Sequence, residues 1–382
     1  MMNRKSASVV IIILFIVVAV SLYVYFESDA VPDNYSSIQS AVDAASAGDT
    51  VYIKSGTYNE NLVIDKPLSL VGEDKDSTII TAETDGPTIT IEAENVTVTG
   101  FTIRSLSSET GVYVGAENCT IIDNIIEGCG TGIYNQGSAE SFFQYINIKN
   151  NTVRNNVEAG IVFEGTPFIF NITGNTITSN SIGIRAADSY RCLIINNTIS
   201  ENIDAIDAAG TRLDILNNTI TDNTETAITI HNTSDSSDLI RIWYNNIQNS
   251  KKGMTLIQDG RNSIIKNNIN KCTTGINFSQ TGSSTVYENN ITDSTIGIII
   301  TQSSHITLRQ NNLINNTQQA VTDANSTIQW DSSEKGNYWS DYTTRYPNAN
   351  ETDNTGIWDT PYIINENNTD NYPLANPHIL DS

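Results

Sequence analysis

From about residue 110 to 325 the chain repeats one phrase: an Asn pair, an apolar residue, a polar stretch, then Gly or Ala followed by an aliphatic residue. INNTIS at 195–200 and LNNTIT at 216–221 are the clearest copies. With the second Asn as phase marker, the copies fall at Asn124, Asn151, Asn175, Asn197, Asn218, Asn246, Asn268, Asn290 and Asn312, in steps of 27, 24, 22, 21, 28, 22, 22 and 22 residues. The Gly/Ala-aliphatic marker tracks that phase through Gly111, Gly132, Gly160, Gly183, Ala205, Ala227, Gly253, Gly275, Gly297 and Ala320.

A period near 22 admits a leucine-rich repeat or a parallel β-helix, so the content of the unit must choose. The unit lacks the Leu-x-x-Leu-x-Leu pattern and any helical stretch, and carries short β-branched runs such as CLIIN, NTI and GINF between Asn and Gly. It therefore predicts an all-β fold, a right-handed three-sheet parallel β-helix. Asn tolerates the left-handed backbone of a tight corner, and its amide can bond the Asn of the next coil to form a ladder. Coils stacked at roughly 4.8 Å make ten of them a rod about 50 Å long. No coil buries its face alone, so each end needs a cap.

The opening cap is YSSIQSAVDAASAGDT at 35–50, where Ser36 or Ser37 can cap a helix presenting Ile38, Ala41, Val42 and Ala45 on one face, with Gly48 ending it. Strands VYIKSG, NLVIDK and LSLVG follow. Residues 330–378 lose the repeat, gain Trp, Tyr, Asp and Asn, and predict a folded terminal cap.

Residues 9–26 hold 18 uncharged, largely apolar positions, preceded by Arg4 and Lys5 and followed by Glu27 and Asp29. That length spans a bilayer, and the exit Leu-Tyr-Val-Tyr-Phe lacks the small-x-small site of a cleaved signal peptide. The charge order puts residues 1–8 in the cytoplasm and the bulk of the chain outside. The expected organisation is thus a cytoplasmic 1–8, an anchor at 9–26, a linker at 27–34, a cap and first coils at 35–80, repeats at 81–329 and a closing cap at 330–382.

Asp and Glu outnumber Lys and Arg by 43 to 20, a formal charge of −23, so the overall field repels nucleic-acid phosphates. Four dispersed cysteines are too few for a disulfide scaffold. Cys119 and Cys192 share a column three coils apart, roughly 14 Å and beyond bridging reach, which leaves buried free thiols or a Cys119–Cys129 pair.

The segments SIQSAVDAASAGDTVYIKSGTYNENLVIDKPLSLVGE at 37–73, the NNTI coils, GNYWSDY at 336–342 and DTPYIINENNTDNYPL at 359–374 resemble the carbohydrate-binding and sugar-hydrolysis group of pectate-lyase-like β-helix proteins. They are most similar to NosD-type repeat proteins of archaeal and bacterial surfaces. The resemblance implies an exported protein with polysaccharide as default ligand, and no particular reaction. Where that family's tail carries a denser, calcium-loop-like Asp run, this chain has NANETDNTGIWDT, which makes Asp353 and Asp359 its calcium candidates.

GTYNEN at 56–61 resembles a pectin methylesterase motif, but that family's paired Asp and Arg motifs are absent, as are polygalacturonase-like ones. Three His, three Met and four dispersed Cys supply no clustered soft site, so copper is not expected.

The repeat phase identifies an outer face. The residue following the Gly/Ala-aliphatic marker gives a column Tyr113, Tyr134, Val162, Arg185, Asp207, Thr229, Thr255, Asn277 and Ile299. Two residues later a neighbouring column reads Gly115, Gln136, Glu164, Ala187, Ala209, His231 and Ile257. Glu164, Arg185, Asp207 and His231 fall on successive coils. Insertions carrying SAESFFQY and HNTSDSSD leave the loop after this face and are expected to rise as walls of a groove. Tyr113, Tyr134, Gln136, Phe142, Phe143 and His231 are the candidate glycan-binding residues. Glu164 and Asp207 are the candidate acid/base pair, and Arg185 would orient a uronate. The alternatives are a polysaccharide lyase or glycoside hydrolase, and a non-catalytic structural or adhesive envelope protein. Abundant sequons such as those at Asn95, Asn171, Asn196, Asn217 and Asn350 suit the latter. Oligomeric state and protein partners stay open.

Overall fold

The computed structural model describes residues 30–379 except 106–107, 137–143, 165–167, 190, 211, 232–238, 259 and 353. Each turn of the chain contributes one short strand to each of three parallel sheets, of 14, 12 and 13 strands, here the first, second and third. One coil runs Cys119–Ile122 in the first sheet, Ile125–Glu127 in the third and Thr131–Gln136 in the second, then returns to the first at Gln144–Lys149. Side chains alternate, and the inward ones are almost all Ile, Val, Leu or Phe at zero exposure. Each such burial contributes about 1.5–3 kcal/mol, so the tube is its own core.

The ladder forms, with one correction to its phase. It runs Asn124, Asn151, Asn175, Asn197, Asn218 and then Asn245, Asn267, Asn289, Asn311 and Asn337. After Asn218 it is the first Asn of each pair that enters, so Asn246, Asn268, Asn290 and Asn312 form a neighbouring file, and Asn268 does not align with Asn197 and Asn218. The cause is a division of labour at the corner between the first and third sheets. One residue takes the left-handed conformation and the next points inward to bond the coils on either side. Asn196 and Asn217 take φ of 56° and 55° in the earlier coils, whereas Tyr244 and Lys266 take 59° and 54° in the later ones. The left-handed position therefore accepts several side chains, while the inward position keeps Asn.

Asn218 illustrates why. Its Nδ2 donates to the Ile194 carbonyl at 2.8 Å and to Asn245 Oδ1 at 3.0 Å, while its Oδ1 accepts from the Asn197 backbone at 2.9 Å. Every polar atom of this buried amide is thereby paired. A second ladder through Asn156, Asn180, Asn202 and Asn223 builds the corner between the third and second sheets.

At Gly253 of the other marker the coils approach closely, since a Cβ there would lie 2.5 Å from the Gly275 carbonyl oxygen of the next coil, whereas Ala205, Ala227 and Ala320 carry a Cβ at the same phase. The opening helix spans Ile38–Ala44, with Ser37 as N-cap and Ile38, Ala41 and Val42 buried. It ends at Ala45 rather than Gly48, whose φ of 90° belongs to the turn beyond. The GTYNEN motif serves this cap, because Glu60 accepts from the backbone N–H of Ile38 and Gln39 at 2.9 and 3.0 Å.

The closing cap stacks Trp339 on Tyr362 at 4.1 Å and Tyr342 on Trp358 at 5.0 Å, over the last coils. Asp370 ends the ladder by standing where the next Asn would be. Its Oδ2 accepts from the Asn337 backbone at 2.7 Å and Trp339 Nε1 at 2.8 Å, and its Oδ1 from the Tyr372 backbone at 3.1 Å. Burial nonetheless pushes its pKa up to about 7.

The four cysteines are free and buried, and Cys119 and Cys192 do share a column three coils apart. Among the described residues no helix is long and apolar enough to cross a membrane. The expected anchor at 9–26 lies outside them.

Candidate functional site on the second sheet

Strand pairing carries the first outer file through Tyr113, Tyr134, Val162, Arg185, Asp207, Thr229, Thr255, Asn277 and Ile299. The second passes from Gln136 through Glu164, Ala187, Ala209 and His231 to Ile257. These are the columns the Gly/Ala marker predicts. Phe142 and Phe143, and both inserted walls, lie outside the described residues.

Asp207 is the centre of the polar stretch. Its Oδ1 lies 3.0 Å from His231 Nε2 and its Oδ2 3.7 Å from Arg185 Nε, so each carboxylate oxygen faces a different neighbouring coil. All three side chains remain open to solvent, at 29% for Asp207, 41% for Arg185 and 44% for His231. The contacts therefore orient more than they stabilise.

Two coils toward the N-terminus the Tyr134 hydroxyl donates to Glu164 Oε2 at 3.2 Å, and its ring lies 5.9 Å from that of Tyr113. Burial, reinforced by the Glu164 charge, raises the Tyr134 phenol above its ordinary range and keeps it a donor. The structure thus gathers two polar groups on one face: Tyr113, Tyr134 and Glu164, then Arg185, Asp207 and His231. Glu164 and Asp207 occupy positions two coils and two residues apart, roughly 12 Å at standard strand spacings.

Asp359 has a structural job in the closing cap, accepting from the Asn350 backbone at 3.1 Å and the Thr360 hydroxyl at 2.9 Å. Asp353 lies outside the described residues. Sequence reasoning passes over an ion cluster on the first sheet, where Asp214, at 6% exposure, is held by Arg241 at 2.5 Å and faces Arg191 at 3.6 Å. Projecting the repeat phase onto that sheet would have placed these residues on successive coils.

A parallel β-helix with one polar, aromatic outer file defines the class. Within it the chain belongs to the NosD family: the family model described as "Periplasmic copper-binding protein (NosD)" matches residues 42–229, 142–258 and 214–344. No curated protein matches.

Among solved structures, the A-module of mannuronan C-5 epimerase AlgE4 from Azotobacter vinelandii is similar at 17% identity and TM-score 0.61, over 79% of this chain and 97% of that one. The catalytic unit of the GH87 α-1,3-glucanase from Streptomyces thermodiastaticus gives 13% identity and TM-score 0.61, over 79% and 65%. Tailspike protein 3 of bacteriophage CBA120 gives 13% and 0.52, over 80% and 60%. At these identities the likeness is one of fold.

The family's description includes copper, which tests the donors. The imidazoles stand apart, His231 beside Asp207, His305 beside Ser304 and His378 beside Glu288. Burial pushes the thiols of Cys119 and Cys272 up to about 11 and that of Cys129 to about 12, so none is a ready thiolate. Among the described residues no three such groups converge, and these donors do not fit a copper centre.

Proposed function

We propose that the chain is a membrane-anchored protein, held by residues 9–26 with its β-helix outside the cell, that binds a polysaccharide along the outer face of the second sheet. The Arg185, Asp207 and His231 cluster, on the same sheet face as the Tyr113 and Tyr134 rings, carries this reading. A linear polymer has repeating hydroxyls, and the coils offer polar groups at a repeat of roughly 4.8 Å along one axis. Tyrosine rings cover the apolar faces of sugars, and a carboxylate held between the Arg185 guanidinium and the His231 imidazole is oriented before a ligand arrives. Two neighbours in fold carry the names of a mannuronan epimerase and an α-1,3-glucanase, both polysaccharide-directed.

Binding is favoured by the oriented polar groups and aromatic rings of this face. The strand positions of Glu164 and Asp207, roughly 12 Å apart, are compatible with the carboxyl spacings of about 5–5.5 or 6.5–9.5 Å that two-carboxylate hydrolysis uses. Should turnover occur, those two remain the acid/base candidates, with Arg185 on a uronate carboxylate. The test is a glycan array and a uronate-lyase screen on the full chain in detergent, repeated with Glu164→Ala and Asp207→Ala. Binding weakened about tenfold by Asp207→Ala is the expected result. Affinity and turnover unchanged in both variants rejects the site, and no glycan bound at all returns the chain to a structural or adhesive role.

A further inference from the structure

On five successive coils of the first sheet, Ile195, Leu216, Trp243, Ile265 and Tyr287 form one outward, partly exposed file. An apolar stripe on the outside of a rod whose inside already holds the core needs an explanation. Its flanks are unusual too. Among the described residues from Arg191 to Arg309, the strands of this sheet and their corners carry Arg191, Arg212, Arg241, Arg261, Lys266 and Arg309 against Asp214 and Glu288, while Asp235, Asp238 and Asp259 lie outside the described residues. The chain as a whole is acidic by 43 to 20.

The cations are held in place. Arg241 grips Asp214 through two hydrogen bonds of 2.5 and 2.7 Å and lies 5.6 Å from the Trp243 ring. Arg309 sits 4.4 Å above Tyr287, and Lys266 lies 5.8 Å from Tyr244 and 3.6 Å from Glu288. Guanidinium groups fixed on rings lose little freedom on meeting an anion and keep outward N–H groups to donate.

We infer that the first sheet carries a second binding surface, for a linear acidic polysaccharide lying along the rod over the Ile195–Tyr287 stripe, its acid groups met by the flanking arginines. The dimensions favour a polymer chain over a folded partner. Five steps between coils from Arg191 to Arg309 give about 24 Å, and the strand width gives about 13 Å, so the ribbon covers on the order of 300 Å². A standard protein interface takes about 800 Å² from each partner. The neighbouring polar file continues through Ser263, Thr285 and Thr307 to Gln329, which with His305, Asp331 and Asn371 lines an open hollow of about 790 Å³. That polar file, two residues over from the stripe, leads into an end-site beside the closing cap. This face is separate from the second-sheet site, and the two stand or fall independently.

The experiment measures binding of the full chain in detergent to polygalacturonate, with dextran as a neutral control, across a salt series. Wild type should bind polygalacturonate over dextran, and more weakly as salt rises. The Trp243→Ala/Tyr287→Ala pair should weaken binding about tenfold, and Arg261→Ser should flatten the salt dependence, while Lys251→Ser, at an exposed cation on the corner between the third and second sheets, leaves both unchanged. If the aromatic pair fails to melt like wild type, the exposed Arg261→Ser alone decides through the salt slope. Binding that both sets of first-sheet variants leave intact overturns the surface. Loss on Asp207→Ala alone also overturns it and moves the polymer to the second sheet. Phosphatidylserine vesicles or oligothymidylate held as tightly, and weakened by the same variants, would overturn the assignment to polysaccharide.

Discussion

The buried Asn file and the outer file of the second sheet obey the same register, yet one repeats a single residue and the other changes at most coils. Asn197, Asn218 and Asn245 recur because each must both donate to and accept from its neighbour in the absence of water. Outside, Tyr134, Val162, Arg185, Asp207 and Thr229 succeed one another with no such requirement. In a solenoid the repeat reports packing, and an exposed file, free of that packing, can carry different side chains from coil to coil.

The comparison breaks first at the ladder. Asn245→Ala strands the Asn218 amide, the Ile215 carbonyl and Asn267, all deeply buried, and should cost about 3 kcal/mol or more by urea denaturation. Asn246→Ala removes one partly exposed contact with Asn268 and should cost less than about 1 kcal/mol. Equal losses would mean that the two adjacent Asn share the ladder role.

The ladder's end gives the next effect. Asp370 has a folded pKa near 7, above the roughly 3.9 of an unfolded Asp. The folded chain therefore holds the proton more tightly, and this contribution to stability is complete below about pH 4 and lost as pH rises through 7. Wild type should accordingly lose melting temperature relative to Asp370→Asn between pH 4 and 7. A constant difference across that window would place the proton elsewhere.

How far the sequence was legible follows the same division. The Gly/Ala marker predicts both outer columns correctly because it is anchored by backbone contact, as at Gly253. The Asn pair slips by one residue after Asn218 because its two members do different jobs, and the left-handed corner accepts Tyr244 as readily as Asn217. The second ladder was present in the five-residue spacing of Asn151 to Asn156 and Asn175 to Asn180, but it was hidden among polar residues. The ladder-ending role of Asp370 depends on a contact 33 residues away and leaves no local signal. The His231–Asp207–Arg185 contacts needed only the register, whereas the ion cluster at Asp214 required the same projection onto a sheet that carried no marker.

The smallest stability change should fall at Tyr134, and it separates orientation from stacking on the outer file. The Tyr134 hydroxyl donates to Glu164 on an exposed surface, so Tyr134→Phe should alter stability by no more than about 0.5 kcal/mol. It preserves the ring beside Tyr113 and releases Glu164. If the rings supply most of the affinity, Phe should bind glycan like wild type and Ala about fivefold to tenfold more weakly. If Glu164 must be held in place, Phe and Ala should lose affinity alike, and Glu164→Gln should reproduce the loss with Tyr134 intact. Calorimetric titration of the three variants against the best array ligand distinguishes these outcomes. A Phe variant that binds normally while Glu164→Gln does not would make Glu164 a direct contact that needs no help from the tyrosine.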